Sequence, residues 1–474
     1  MLLQNFCAPS GQSRSTTASA ERTINLYIEP LPNDPRNLVL FGIPGLRPWL
    51  LLPSAPVRGL YETSTGRTFA VTSTTLFELF SGGTFLSRGT VHTGTAPVFF
   101  SDNGIHLVLS VDGVGYAYDL TTNVLTTLPL TGPQTFGRLA YIDGYVLTHE
   151  PGTRLFWYSG LLDALTWDAL AYYAAEGRPD AIVSLIVDHR QIFLLGTQTI
   201  EIWDSAGDAL NPFVRNNSVF IEQGGSAIAA ITAANNTFYW LGGSPRGEGP
   251  IWRLDGYTPR RISTAAIETA MGRMSTVADA IAFPVSWGGH SWVGFYFPTG
   301  NQTWLYDTNM ESWCELADLD DDGTLMAFRA YAHAYSAGEH VWGDRTTGHM
   351  YLWDDNYYFL GTDPLYRARI TPHVRNDQQP VTYSAFELVM ETGIGLDGGM
   401  VPGTEPQVML SWSDDGGASW AFPLWRSAGG IGRRERRVIW RRLGQARTTR
   451  CWKVAMSDPV PVAWLSARVE VANG

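Results

Sequence analysis

The chain has 474 residues, a net charge of −12, 12% aromatic and only 16% charged residues. This suits two or three sheet-rich globular domains and excludes a disordered protein, while the acidic balance argues against general coating of nucleic acid. Cys7, Cys314 and Cys451 are odd in number and far apart, so neither a disulfide framework nor a zinc site follows and a reducing compartment is expected; no signal peptide or membrane-length apolar run is read.

Residues 1–56 read as an N-terminal arm with the first strands. Ser10 to Ala20 is small and polar, Arg22 to Tyr27 makes a short strand ended by Glu29-Pro30, and Phe41 to Leu46 makes a second strand and turn. From 57 to 365 a unit repeats: two apolar strands joined by a tight turn, then a closing strand ending in an aromatic. Those aromatics are Phe77, Tyr118, Trp157, Trp203, Trp252, Tyr306 and Trp353, at intervals of 39 to 54 residues. Three or four strands per unit at that period mark β-propeller blades, with Asp102-Asn103-Gly104, Asp112-Gly113, Asp143-Gly144 and Gly242-Gly243 as turns. Seven copies predict seven blades, or six if one unit belongs to a flanking domain. A blade buries one face only, so the recurring aromatic is expected to pack between blades rather than stack on a ligand. Two stretches break the rhythm: Leu161 to Glu176, a short helix or an irregular excursion, and Ser263 to Met274, a helix with a Ser/Thr cap.

Residues 366–474 are expected to form a β-sandwich-like domain of at least six strands, giving an all-β chain overall. Val438 and Trp440 alternate on one strand face, Trp452, Val454 and Met456 on another, and Leu465, Ala467, Val469 and Val471 on a third, with breaks at Gly444 and Asp458-Pro459. Nine arginines and a single acid, Glu435, lie between Arg426 and Arg450. That window carries about +8, which leaves about −20 for the rest of the chain. Interleaved Ile439 and Trp440 make it a packed strand region, so an interface with an acidic partner is favoured. The other readings are a solvated face with ordinary ion pairs and contact with DNA phosphate. The interface candidates are Arg433, Arg434, Arg436, Arg437, Arg441, Arg442 and Arg447.

Catalytic and cofactor signatures do not stand out. Ser413 to Trp420 fits the Asp-box pattern S-x-D-x-G-x-[ST]-W, which is expected to be a structural hairpin. Asp318, Asp320, Asp322 and Gly323 begin like a calcium loop, but the twelfth position is Arg329 where a bidentate Glu belongs, so a solvated acidic turn is the preferred reading of this weak metal candidate. Nine scattered histidines form no zinc or triad spacing. A propeller glycosidase or depolymerase would require convergent acids at the propeller mouth; a receptor-binding module would bind glycan without turnover.

Val438-Ile439-Trp440-Arg441-Arg442-Leu443-Gly444, Ala446-Arg447, the Trp452/Lys453 strand and Ser457-Asp458-Pro459-Val460 together resemble the C-terminal signature of the tail-hub proteins of short-tailed bacteriophages, also called packaged-DNA stabilisation proteins. Ala20 to Tyr27 is similar to the N-terminal motif of hub-like phage proteins, and Arg178 to Val183, Gln198 to Trp203 and the Ser263 helix resemble the family's central part. The resemblance implies a non-enzymatic structural protein of the virion tail, made in the host cytoplasm and without cofactor. It implies a ring, of six copies, below the portal and its adaptor. That ring would extend the DNA exit channel, retain packaged DNA without sequence preference, and dock spikes or fibres and a terminal needle or tip.

Overall fold

The computed structural model describes residues 2–208, 210–243, 249–376, 379–399 and 401–471. Turn chemistry sets its frame. Asp112-Gly113 and Asp143-Gly144 each hold two consecutive positive φ angles, 50° and 83° in the first pair and 46° and 92° in the second. That is the mirror-image turn whose twist matches the flanking strands of a two-residue hairpin. The first joins His106–Val111 to Val114–Asp119 and the second joins Leu139–Ile142 to Tyr145–His149, and the apolar alternation on either side does the rest.

Five four-stranded antiparallel sheets follow one another, and two further four-strand units are parts of larger sheets, making seven blades. Their innermost strands are Gly59–Glu62, Phe99–Asp102, Leu139–Ile142, Ile182–Asp188, Ile231–Ala234, Ile281–Trp287 and Ala330–Ser336. The last of these lies beside the first, which closes the ring. The seventh blade takes its outer strand, Gly45–Leu51, from before the first blade; it pairs antiparallel with His349–Asp354, Asp354 opposite Gly45 and Trp353 opposite Leu46. Gly45 is required there by space, since a Cβ would lie 2.0 Å from the carbonyl oxygen of Tyr357.

The seven recurring aromatics all sit on the third strand of their blade, not on a closing one: Val114–Asp119 carries Tyr118 and Gln302–Asp307 carries Tyr306, for example. In six blades a fourth strand follows. In blades 2, 3 and 4 it is short and carries little hydrophobic signal (Leu125–Thr127, Tyr172–Ala174, Phe213–Arg215), whereas in blade 6 Ser312–Leu319 is long and buried. Phe77, Tyr118, Trp157, Trp203, Tyr306 and Trp353 are buried and Trp252 is nearly so, as packing between blades requires. Phe69 meets Tyr118 edge-on at 5.3 Å across blades 1 and 2, and Phe156 meets Trp203 at 5.2 Å across blades 3 and 4. Residues 161–171 are an irregular excursion ahead of Tyr172–Ala174, and the helix runs over Ala265–Met271, one helix among the described residues.

The sandwich is built from both ends of the chain. One sheet runs Leu424–Ser427, Gln407–Ser413, Thr449–Met456, Arg367–Ile370 and Arg22–Ile24. It continues without a break into blade 6, because Arg22–Ile24 also pairs in parallel with Ser312–Leu319. The other sheet runs Val438–Arg441, Val381–Met390, Ala463–Val471, Asp34–Gly42 and Leu26–Leu31. Between them lie Leu26, Leu40, Phe386, Val408, Trp440, Trp452 and Trp464, all buried. The first 56 residues are therefore not an arm of their own. They supply three sandwich strands and the seventh blade's edge.

The short segment Glu21 to Asn25 locks the two parts together. Glu21 accepts from Arg369 at 2.8 Å, Arg22 pairs with Glu315 of blade 6, and Thr23 donates its hydroxyl to Ala8 at 2.7 Å. Asn25, wholly buried with φ 52°, donates its amide to the carbonyls of Ala317 and Tyr366 at 2.7 and 2.8 Å and accepts from the Ala317 N–H. One residue thus holds a propeller strand and a sandwich strand at once.

The alternation read over Leu465, Ala467, Val469 and Val471 holds only for the middle pair. The register shifts between Val389 and Met390, opposite Ser466 and Trp464. That irregularity turns Trp464 inward and leaves Leu465 exposed, as an extra residue in one strand does.

Candidate partner interface

The arginine-rich segment enters the sandwich at its edge. Val438–Arg441 pairs with Val381–Met390 on one side only, and Leu424–Ser427 is the matching edge of the other sheet. Between these two strands the chain makes a loop held by backbone bonds: Gly432 N–H donates to Gly393 O at 3.0 Å, Gly393 N–H to Ala428 O at 3.1 Å, and the Thr392 hydroxyl to Arg434 O at 2.7 Å. Gly393, at φ 74°, lies so close that a Cβ would be 2.8 Å from the Arg434 nitrogen. The loop's backbone is fixed, and its long side chains project from it.

Arg433, Arg434, Arg436, Arg437, Arg441, Arg442 and Arg447 are all exposed. Arg437 pairs with Glu387 at 2.7 Å, and its guanidinium holds that carboxyl below the usual range. Arg433 lies 3.8 Å from Glu405, whose carboxyl is held low first by the Ser427 hydroxyl and then by Arg433 and Arg436. Arg434, Arg436, Arg441, Arg442 and Arg447 have no carboxylate within 4.0 Å among the described residues. Arg468, exposed on the neighbouring strand opposite Glu387, adds to the same positive face.

Two arginines of the window have other work. Arg450 is buried with its guanidinium 4.9 Å from the Tyr383 ring centroid and 5.2 Å from those of Trp412 and Trp452; it pairs with Asp414 at 2.6 Å and donates to Leu443 O at 2.7 Å. It is a core residue. Arg426 lies along the edge, donating to the carbonyls of Ile439 and Trp425. Sequence reasoning missed the apolar half of this face. Ile431, on the arginine loop, is 65% exposed, Trp425 on the strand leading into it 50%, and Phe422 just before that strand 93%. Aromatic residues with arginine are the composition that partner interfaces enrich. Nothing in the sequence marks these three as outward; Trp425 lies on an edge strand, and Phe422 and Ile431 lie in the loops before and after it.

The other candidates are placed as follows. In the Asp-box the Ser413 hydroxyl donates to Asp415 at 2.7 Å, and Asp415 accepts from the Ser419 N–H at 2.9 Å and from its hydroxyl at 2.5 Å, which holds that carboxyl far below its ordinary value. Its glycine turn packs on Thr17 and Ala20 of the N-terminal segment, so the hairpin is a structural clasp. Asp318, Asp320 and Asp322 do not converge. Asp318 is buried and pairs with Arg329 at 2.6 Å, the very residue that replaces the twelfth ligand, while Asp320 accepts the N–H groups of Asp322 and Thr324. The cavity at the propeller's inner strands is lined by no carboxylate among the described residues.

A family model described as "Bacteriophage P22 Gp10, beta-propeller" matches residues 20–358. A second, "Bacteriophage P22 Gp10, beta-sandwich", matches 366–472. No curated protein matches. Among solved structures, the N-terminal domain of Nup159 is 10% identical, covering 70% of this chain and 98% of its own, with a TM-score of 0.42. The extracellular domain of the one component system BT4673 from B. thetaiotaomicron is 9% identical, covering 88% of this chain and 58% of its own, at 0.44. The computationally designed Ika8 protein is 12% identical, covering 65% and 99%, at 0.37. The two family matches together span both parts of the fold, and the chain belongs to the bacteriophage P22 Gp10 family, structural proteins of the phage tail that stabilise packaged DNA.

Proposed function

We propose that this chain forms a ring, of six copies, beneath the portal and its adaptor, extends the DNA exit channel there, and docks spikes or fibres and a terminal needle or tip. The positive sandwich edge is its partner-binding surface. One observation carries this reading: Arg434 and Arg436 on a braced loop, and Arg441, Arg442 and Arg447 on and beyond the adjoining edge strand, are exposed without a carboxylate partner among the described residues, and Ile431 on the loop and Trp425 on the facing edge strand are exposed with them. Exposed charges that satisfy nothing inside the fold contribute little to stability, yet they steer and select an acidic partner. The rest of the chain is acidic, so a ring lumen built from it would repel the duplex and let it slide rather than clamp it.

Reversing Arg433, Arg434 and Arg436 to Glu tests the surface. The three side chains are outside the core, so the variant is expected to fold with an unchanged melting temperature but to fail to join the adaptor ring; normal assembly would remove this surface from the interface. Particles made without the chain test the role, since heads that fill and then empty support a channel extension, and full stable heads that fail to adsorb contradict it.

A further inference from the structure

The propeller hub holds a charge that the tail-ring reading does not use. Six of the seven innermost strands begin around a central cavity of about 320 Å³, where Phe99, Phe283 and Tyr331 share the wall with polar groups. Arg58, Arg138 and His333 also reach it. Arg58 is fully engaged: wholly buried, it donates to the carbonyls of Ala96 at 2.7 Å and His92 at 3.1 Å and pairs with Asp112. His333 shares a 3.0 Å hydrogen bond with His340, and burial pushes it down to about 3, so it is neutral at pH 7. His149 lies behind Arg138, similarly pushed down to about 3 by burial and by that cation. It packs so tightly on Gly137 that a Cβ there would be 2.4 Å from the ring. The backbone carrying Arg138 is therefore held from behind.

Arg138 differs from both neighbours. Its guanidinium lies 5.7 Å from the Phe99 ring centroid, and among the described residues no carboxylate pairs with it and no group hydrogen-bonds to its side chain. Burial alone pushes its pKa down, to about 10, with no acid opposing the shift. It remains a cation at neutral pH. Arg138 is half-buried at the cavity wall, and the lining offers its guanidinium no carboxylate. The Thr232 hydroxyl, on the same lining and without a described partner, is a further donor. The volume is at the lower end for small-ligand sites and far too small for a duplex.

We infer that the hub cavity binds a small oxyanion, of the size and charge of inorganic phosphate, on the forked guanidinium of Arg138. The planar fork suits two oxygens of one anion, and Phe99 keeps water from one side of it. Such a ligand would tie the inner strands of blades 2 and 3 to those across the ring. This site stands independently of the partner surface on the sandwich.

The test uses the full chain and inorganic phosphate. Thermal unfolding is compared in phosphate and in chloride at matched ionic strength, with calorimetric titration of phosphate alongside. A ligand that binds only the folded state raises the melting temperature with concentration. The expected result is a phosphate-specific rise that Arg138→Gln abolishes, with phosphate affinity down by about tenfold or more for loss of a charge-assisted pair. The Arg433, Arg434 and Arg436 to Glu variant should keep the full rise. No phosphate-specific rise in the unaltered chain, or an equal rise in Arg138→Gln, overturns the proposal. Should Arg138→Gln not fold, crystals of the unaltered chain in selenate decide: an anomalous peak beside the Arg138 guanidinium supports the site, and its absence there rejects it.

Discussion

Replacing Arg369 with Met should free the N-terminal segment while the rest of the fold stands. Arg369 is wholly buried, yet its donors go to one stretch of chain: Phe6 O at 2.7 Å, Asn5 O at 2.9 Å, Glu21 at 2.8 Å and the Thr23 hydroxyl at 3.0 Å. Removing one member of a buried pair costs about 3–5 kcal/mol; the Glu21 side chain is 22% exposed, which favours the lower figure. Buried carbonyls that lose their donors add about 1–3 kcal/mol each, so keeping the segment docked would cost well above 5 kcal/mol by these figures. Detaching it instead forfeits the burial of Leu3 and Phe6, about 1.5–3 kcal/mol apiece, and regains chain entropy. Glu21 and Thr23 stay in place on either route, so the balance turns on the Asn5 and Phe6 carbonyls, and water reaching them together with the regained chain entropy favours detachment. Cys7 reports it: its Sγ lies 3.3 Å from the carbonyls of Trp464 and Leu465, and burial pushes the thiol up to about 11. Release to an ordinary thiol value near 8.5 should speed alkylation at pH 7 by roughly 300-fold through the thiolate fraction. Buried Cys314 and Cys451 serve as internal controls. An Arg369→Met protein whose Cys7 labels as slowly as the unaltered chain, with an unchanged urea midpoint, would refute the reasoning.

Gly45→Ala should weaken closure of the seventh blade by about 1–3 kcal/mol or more, as overpacking does, because the new Cβ meets the Tyr357 and Phe359 carbonyls at 2.0 and 2.7 Å; an unchanged urea midpoint would contradict the strand placement. His290 bridges blade 6 and the sandwich, its Nδ1 2.6 Å from Asp307 and its Nε2 3.2 Å from Glu29, and Asp307 then Glu29 raise its pKa. A raised folded pKa contributes stability that is complete below the unfolded value near 6.5 and is lost as pH rises through the folded value, so melting temperature should fall across that window in the unaltered chain and this component should vanish in His290→Gln.

Much of this was legible because period and turn chemistry are local. Asp-Gly pairs at positive φ and a buried aromatic once per blade mark the propeller without reference to anything distant. The fourth strand of blades 2, 3 and 4 was not legible, because strands such as Leu125–Thr127 are short and half-exposed. Nor could the sequence reveal that Gly45–Leu51 serves a blade some 300 residues later, since the apolar pattern of an edge strand names no partner. The interface divides in the same way. Charge density picks out Arg433 to Arg447, but only the fold separates exposed Arg436 from Arg450, which sits among three aromatic rings. Phe422, Trp425 and Ile431 look like core residues in the sequence and lie outside it in the structure.

Shared strands also set how the chain must be cut to be studied. Leu26–Leu31 and Asp34–Gly42 are made first but find their sheet partner, Ala463–Val471, only when the chain is complete. Leu26, Ile28 and Leu40 are buried in the sandwich core alone, so a fragment of residues 1–365 would expose them on a two-stranded ribbon with an open edge, the arrangement that invites aggregation. A fragment of 44–365 keeps Gly45–Leu51 and hence every strand of the seven blades. It gives up Tyr27 against Trp292 and the pairing of Arg22–Ile24 with blade 6. The Tyr27 loss is about 1.5–3 kcal/mol, well within what a ring of seven packed blades can sustain. We expect 44–365 to be monomeric with one cooperative unfolding transition, and 1–365 to aggregate at the same concentration in light scattering. A disordered 44–365 would show instead that the propeller cannot close without the sandwich strands, and that the two parts of this chain are one folding unit.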